Sequence, residues 1–172
     1  MKRLTLLCLV FILLPAILFA QPAVKMKAAA TIMCNAAVDG YNDVLANYIY
    51  PKMLEQMGGK DSFISICNQT AKKLAEENIK LIKAEIDEPG NIIKIDNRMF
   101  CVLQQTIYLL RDNKTYKSTS SLVAVSDNDG EKWYFISATR NDDQPLYYIF
   151  PELKGKVNIP ESGHPVLVTG NN

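Results

Sequence analysis

The residues of this 172-residue chain that could do nucleophilic or acid–base chemistry are few and widely spaced. A hydrolytic triad needs a histidine beside a serine or cysteine. The only histidine, His164, stands next to Pro165 close to the end of the chain, where we expect a tail rather than an ordered core. The sequence therefore predicts no triad-type hydrolase. No residue is assigned a catalytic role, and a protein without catalytic activity is favoured.

The cysteines are too far apart to suggest a metal centre. Structural zinc sites take ligands from close pairs such as two C-x-x-C motifs, whereas Cys34, Cys67 and Cys101 are separated by long stretches of chain. We therefore predict no metal and no cofactor. Cys34 and Cys67 both fall on apolar faces of predicted helices. There they either pack as small hydrophobic groups or, in an oxidising compartment, form a disulfide.

One turn carries the most distinctive motif. Ser126, Gly130 and Trp133 fit the Ser-x-Asp-x-Gly-x-x-Trp pattern of the aspartate box, a hairpin of sialidases and other glycan-related proteins, but Asn128 replaces its aspartate. The box holds a turn together and does not contact sugar, so we predict a hairpin with Gly130 at positive φ. The run of Asp and Asn also resembles the start of an EF-hand. Its glycine comes two positions too early for that loop, and no calcium site is predicted.

Aromatic side chains provide the candidate ligand site. Tyr48, Phe100, Tyr108 and Trp133 have the chemistry of an apolar wall with a few polar tips, which is the usual lining of a small-molecule cavity. Such a cavity could lie between helices and sheet. The alternative is that these four side chains simply pack in the core.

The elements that would position these residues begin with helices. Apolar residues recur at helical spacing over residues 25–48, with Gly40 as an interruption that suggests a bend or close packing. Proline and a glycine pair delimit a short second helix over 51–57. A third helix is predicted over 61–78.

After residue 78 the apolar period changes from 3.6 to 2, which predicts strands. Turn residues separate the strands as in an antiparallel meander. The strand 99–110 is apolar on both faces, so both should be covered. Residues 144–153 are predicted as a helical or irregular segment that covers one end of the sheet. The predicted strands span 79–86, 99–110, 115–126 and 132–139, and residues 92–95 extend the sheet.

Helices followed by a meander predict an α+β fold, with one long and two shorter N-terminal helices packed on a curled antiparallel sheet of about four strands. Over roughly residues 25–155 the chain resembles small exported bacterial proteins of the nuclear-transport-factor-2-like, cystatin-like superfamily. The resemblance implies a cone-shaped roll. The superfamily includes isomerases, cyclases and non-catalytic binding modules, so it does not single out a function. The resemblance rests on the order of elements and on the stretches Tyr50-Pro51-Lys52-Met53-Leu54, Gly58-Gly59-Lys60 and 126–136.

The first twenty residues have the features of a secretory signal peptide. Lys2 and Arg3 precede an apolar run that ends in Ala20, and we predict cleavage between Ala20 and Gln21. The run is at the short limit for spanning a bilayer, which disfavours a retained anchor. Cys8 lies too close to Arg3 to follow an h-region, which disfavours a lipoprotein. The predicted organisation is a signal peptide over 1–20, a single α+β domain over 21–159 and a flexible tail over 160–172.

Charge narrows the function further. The chain has 19 basic and 18 acidic residues, and this near-neutral balance without a basic stripe argues against a nucleic-acid partner. We predict a periplasmic or secreted binding or accessory module for a small apolar ligand or a protein partner, not associated with the membrane after cleavage. The alternative, implied by the resemblance, is an isomerase, dehydratase or cyclase of the polyketide-cyclase type that uses a pocket carboxylate or tyrosine. A homodimer through the sheet is a further option.

Overall fold

The computed structural model describes residues 2–139 and 144–168, and describes side chains for 21–139 and 145–168. Across these residues the chain forms five α-helices, one short 3-10 helix and six strands. The predicted α+β class is confirmed. The predicted signal peptide, residues 1–20, lies outside the part whose side chains are described.

Four helices precede the sheet. Gly40 has a φ of 76°, a left-handed conformation that commonly ends a helix because glycine has no Cβ to clash. The prediction of one continuous helix over 25–48 is therefore wrong, because the chain forms two helices that are separated at this glycine. The helices are α1 (Lys2–Asp39), α2 (Asn42–Ala46), α3 (Pro51–Gln56) and α4 (Lys60–Glu76).

The strands form one open antiparallel sheet, as the period-2 pattern predicts. Its main order is β1-β3-β4-β5, with β2 also paired to β3 and β6 also paired to β4. The turn from β3 to β4 uses Asp112 and Asn113 at positive φ, the backbone conformation of a tight two-residue hairpin. The strands are β1 (Ile79–Ile86), β2 (Ile93–Ile95), β3 (Arg98–Arg111), β4 (Lys114–Ser126), β5 (Tyr134–Ala138) and β6 (Val166–Leu167).

The segment predicted as a tail from residue 160 contains β6. Beyond the end of β5, this segment runs along the outer edge of β4, with Tyr116 opposite Leu167 and Lys117 opposite Val166. Gly163 N–H donates to Thr119 O at 2.9 Å. These hydrogen bonds extend the sheet edge with residues that the hydrophobic pattern did not identify as a strand.

The core consists of two clusters on opposite faces of the sheet. Side chains alternate along a strand, so the neighbours Phe100 and Cys101 belong to different clusters. The Phe100 cluster contains residues of α5 (Gln144–Ile149) and the 3-10 helix (Pro151–Leu153). The Cys101 cluster contains residues of α1. In this region both faces of β3 therefore contribute to the core.

Among the residues whose side chains are described, no helix is both long enough and apolar enough to cross a membrane.

Candidate binding cavity

The structure places the four predicted site residues in different surroundings. Phe100 is fully buried in the first cluster. Trp133 is 1% exposed in the second cluster, against which Tyr48 is partly buried. Tyr108 lies towards the far end of β3, where its hydroxyl donates to the Glu85 carboxylate, a hydrogen bond that raises the pKa of Tyr108. The four residues do not come together as one wall.

Trp133 belongs to the turn that the motif predicts. Its indole Nε1–H donates to Gly130 O at 3.0 Å. The Ser126 hydroxyl oxygen accepts from Gly130 N–H at 2.9 Å, and Asn128 Oδ1 accepts from Lys132 N–H at 2.9 Å. Gly130 has a φ of 85°, so the predicted hairpin with glycine at positive φ is confirmed. Asn128 can take the place of aspartate here because the turn needs only an oxygen acceptor.

The cavity that has the character of a ligand site lies between α1 and the sheet. It has a volume of about 290 Å³. Six elements and the segment after α2 contribute to its lining, which is mostly apolar. The lining residues are Met33, Cys34 and Ala37 of α1; Leu45 of α2; Ile49; Leu81 and Ala84 of β1; Gln105 and Ile107 of β3; Leu122 of β4; and Phe135 and Ser137 of β5.

Neutral polar groups occupy one side of this cavity. The Cys34 thiol donates to Gln105 Oε1 at 3.6 Å, and Gln105 Nε2 donates to the Ser120 hydroxyl oxygen at 3.0 Å. Burial raises the pKa of Cys34 from 9.0 to about 11, so the thiol stays protonated at neutral pH. Cys34, Cys67 and Cys101 are all free thiols in the structure, which leaves the Cys34–Cys67 disulfide unformed.

A second apolar cleft adjoins the first. It has a volume of about 700 Å³ and lies between the end of α1, α4 and the start of β1. Ala37, Leu45 and Leu81 line both clefts, so the two are neighbours at these three residues. On α4, the lining of the second cleft includes Ile66, which is 43% exposed.

The described linings of the two clefts contain few ionisable groups. Neither cleft has a carboxylate or a tyrosine among its lining residues. The polyketide-cyclase-like alternative requires such a group as its acid or base. Within the described residues, no group of three or more His, Cys, Asp or Glu side chains is placed to hold a metal ion.

The sequence patterns did not identify Cys34 and Gln105 as cavity residues. A signal was present for one of them, because Gln104 and Gln105 interrupt an otherwise apolar strand. An amide in such a strand needs a partner when it is partly buried. Which partner it finds depends on how α1 crosses the sheet, and no local pattern encodes that.

A network of polar side chains, which the sequence patterns also did not identify, connects segments that are distant in the chain. Arg98 Nε donates to Asp127 Oδ1 at 3.0 Å, and a terminal guanidinium nitrogen of Arg98 donates to Glu152 Oε1 at 2.8 Å. The Tyr50 hydroxyl donates to Asp127, and burial is the main reason that the pKa of Tyr50 is raised. This network joins the start of α3, the β4–β5 turn and the 3-10 helix, and its residues are satisfied by one another.

We expect the free energy of unfolding to fall at alkaline pH because of the buried thiols. The pKa values of Cys34 and Cys101 rise from 9.0 to about 11, chiefly through burial. A folded-state pKa above the unfolded value leaves stability unchanged below pH 9.0 and lowers it as the pH rises through about 11. Urea unfolding of the Cys34→Ala variant should show a smaller fall over this interval than the parent protein. An identical fall in both proteins would contradict this assignment.

Comparison of the chain with protein-family models, with curated proteins and with solved structures found no match.

Proposed function

We propose that this protein is an exported, non-catalytic binding module whose cavity between α1 and the sheet holds a small apolar ligand. The observation that carries the proposal is the pair of neighbouring apolar clefts that share Ala37, Leu45 and Leu81 in their linings. A concave apolar site with a few polar groups is the usual form of a small-molecule site. The polar groups around Gln105 are an amide, a hydroxyl and a protonated thiol, so they favour an uncharged ligand or an uncharged end of one.

The proposal includes the cystatin-like arrangement, in which a long helix lies across the concave face of a curled sheet. The helix α1 supplies Met33, Cys34 and Ala37 to the cavity, and the opposite wall comes from the sheet. Such an arrangement leaves a space wherever the side chains of helix and sheet are too short to meet. Ala37 and Ala84 are two such short side chains.

The proposed cleavage is compatible with the contacts of α1 that follow it. A Cβ on Gly130 would lie 2.7 Å from Pro22 Cβ, and Lys25 Nζ lies 2.6 Å from Glu131 Oε1. Both contacts come just after the predicted cleavage site between Ala20 and Gln21. Removal of residues 1–20 would therefore keep these two contacts. The mass of protein recovered from cells expressing the full chain tests the cleavage site directly.

Filling the junction between the two clefts should weaken ligand binding. Ala37→Trp places an indole where the clefts meet, whereas Ala28→Trp adds the same side chain at an exposed position of the same helix. We expect Ala37→Trp to weaken binding of a fluorescent long-chain alcohol by about tenfold or more, equivalent to about 1.4 kcal/mol. Ala28→Trp should bind as the parent protein does. Titration of purified parent and variant proteins measures both.

Circular dichroism and thermal unfolding establish that the Ala37→Trp protein is folded before its affinity is interpreted. As a second variant, Leu45→Phe narrows the same junction with a smaller change. Equal affinity of the parent, Ala37→Trp and Leu45→Phe proteins would reject the cavity as the site. Absence of binding to the parent protein would reject the small-ligand function.

A further inference from the structure

A third cleft, with a different lining, lies at the β1–β2 connection. It has a volume of about 590 Å³ and shares no lining residue with the clefts described above. One side is the turn that contains Asp87 and Gly90, and the other is the segment that contains Lys156 and Val157. Phe100, which is fully buried, and Val102 contribute from β3.

The main chain of Val102, which lies opposite Val123 of β4, faces this cleft on its other side, where neither β1 nor β2 pairs with it. Asp87 N–H donates to Gln104 O at 3.0 Å, so the main-chain groups of Gln104 point towards β1. Main-chain groups of alternate residues in a strand point to the same side, so those of Val102 point the same way. Pairing with β1 ends at Gln105, and pairing with β2 begins at Phe100. No residue of β1 or β2 is therefore opposite Val102.

Gly90 keeps the space beside Val102 open. A Cβ on Gly90 would lie 3.2 Å from Val102 O, a distance that crowds the carbonyl. The only hydrogen bond described for this carbonyl comes from the Cys101 thiol at 3.6 Å, and a thiol is a weak donor. The cleft thus presents one backbone donor and one backbone acceptor from a strand edge, the pair through which an extended peptide adds to a sheet.

The sides of the cleft carry opposite charges. Asp87 is an exposed carboxylate on one side, and Lys156 is an exposed ammonium group on the other. Val102 and Val157, which are partly exposed, supply apolar surface between them. A ligand that matches this lining has a cationic end, an anionic end, an apolar side chain and a peptide bond.

We propose that this cleft binds a short zwitterionic peptide, which forms a β-bridge with the main chain of Val102 while its two termini lie near Asp87 and Lys156. The apolar side chain of the peptide packs against Val102 and Val157. Because the site is separate from the cavity under α1, it does not depend on the function proposed above. The Ala37→Trp variant should bind the peptide as the parent protein does.

Titration of the ¹⁵N-labelled protein with the tripeptide Ala-Leu-Ala tests the proposal by amide chemical shifts. We expect the Val102 and Lys156 amides to shift along one saturable curve. The same peptide N-methylated at leucine lacks the donor for the bridge and should bind at least about tenfold more weakly. An unshifted Val102 amide, or equal affinity for the methylated peptide, would overturn the proposal.

Two protein variants test the role of Lys156 and of the space beside Val102 O, and a third serves as a control. Lys156→Gln should weaken binding about fivefold, as expected for an exposed charge pair. The control Lys154→Gln changes an exposed lysine outside the lining and should not weaken binding. Gly90→Val fills the space beside Val102 O and should remove the shift at Val102. Equal effects of the two lysine variants would overturn the assignment of Lys156. Full binding by a folded Gly90→Val protein would overturn the bridge.

Discussion

Replacing Trp133 with alanine is expected to lower the free energy of unfolding by about 4 kcal/mol, the usual cost of truncating a buried aromatic side chain to alanine. Trp133 is 1% exposed and packs in the cluster that contains residues of α1. The truncation removes this packing and also the hydrogen bond from Nε1–H to Gly130 O. Urea unfolding followed by circular dichroism measures the effect.

The Trp133→Phe variant separates the two losses. Phenylalanine keeps most of the apolar volume but cannot donate to Gly130 O, so we expect a cost of about 1–2 kcal/mol from the unsatisfied carbonyl and the smaller ring. It also serves if the alanine variant is too unstable to purify. Equal stability of Trp133→Phe and the parent would show that the hydrogen bond contributes nothing. A cost below about 1 kcal/mol for Trp133→Ala would contradict the burial of this side chain.

Replacing Gly130 with alanine is expected to cost about 3 kcal/mol. With a φ of 85°, Gly130 has a conformation that costs a residue with a Cβ about 1–2 kcal/mol. The new Cβ would also lie 2.7 Å from Pro22 Cβ and 3.3 Å from Pro22 Cα. Because Pro22 Cα belongs to the backbone of α1, the helix would have to move away from the turn to remove this steric clash. Chemical denaturation gives the change in stability.

Gly155 provides a matched control. Its φ is 74°, and a Cβ there would have no atom within 4 Å, so Gly155→Ala carries the conformational cost without the contact. We expect this variant to lose about 1 kcal/mol. The difference between the two variants then reports the packing of α1 on the β4–β5 turn. Equal losses would show that this helix does not rest on Gly130.

How far the sequence predicts the structure depends on how local the determining interactions are. The β4–β5 turn was predictable because Ser126, Asn128, Gly130 and Trp133 satisfy one another within a few residues. The strands were predictable because one-sided or two-sided burial imposes a period of 2 on the chain. For the helices, Gly40 was recognised as an interruption, but whether it bends a helix or ends it depends on the φ that the surrounding packing selects.

The candidate sites were not predictable in the same way. Tyr48, Phe100, Tyr108 and Trp133 have side chains suited to a cavity, yet they lie in different parts of the structure. Aromatic residues are large enough to fill the space between layers, and two of them do so completely. The cavity instead forms beside small residues such as Ala37, which leave space only because of what they face across the fold.

The sequence by itself therefore determined the α+β class, the order of the elements and the turn that contains Trp133, because each follows from side-chain periodicity or from hydrogen bonds between near neighbours. Only the tertiary structure decided that Cys34 meets Gln105, that Val102 has no partner in β1 or β2, and that residues 166–167 pair with β4. These features depend on the crossing of α1 over the sheet and on the register at which strands begin and end. Both are set by packing between residues far apart in the chain.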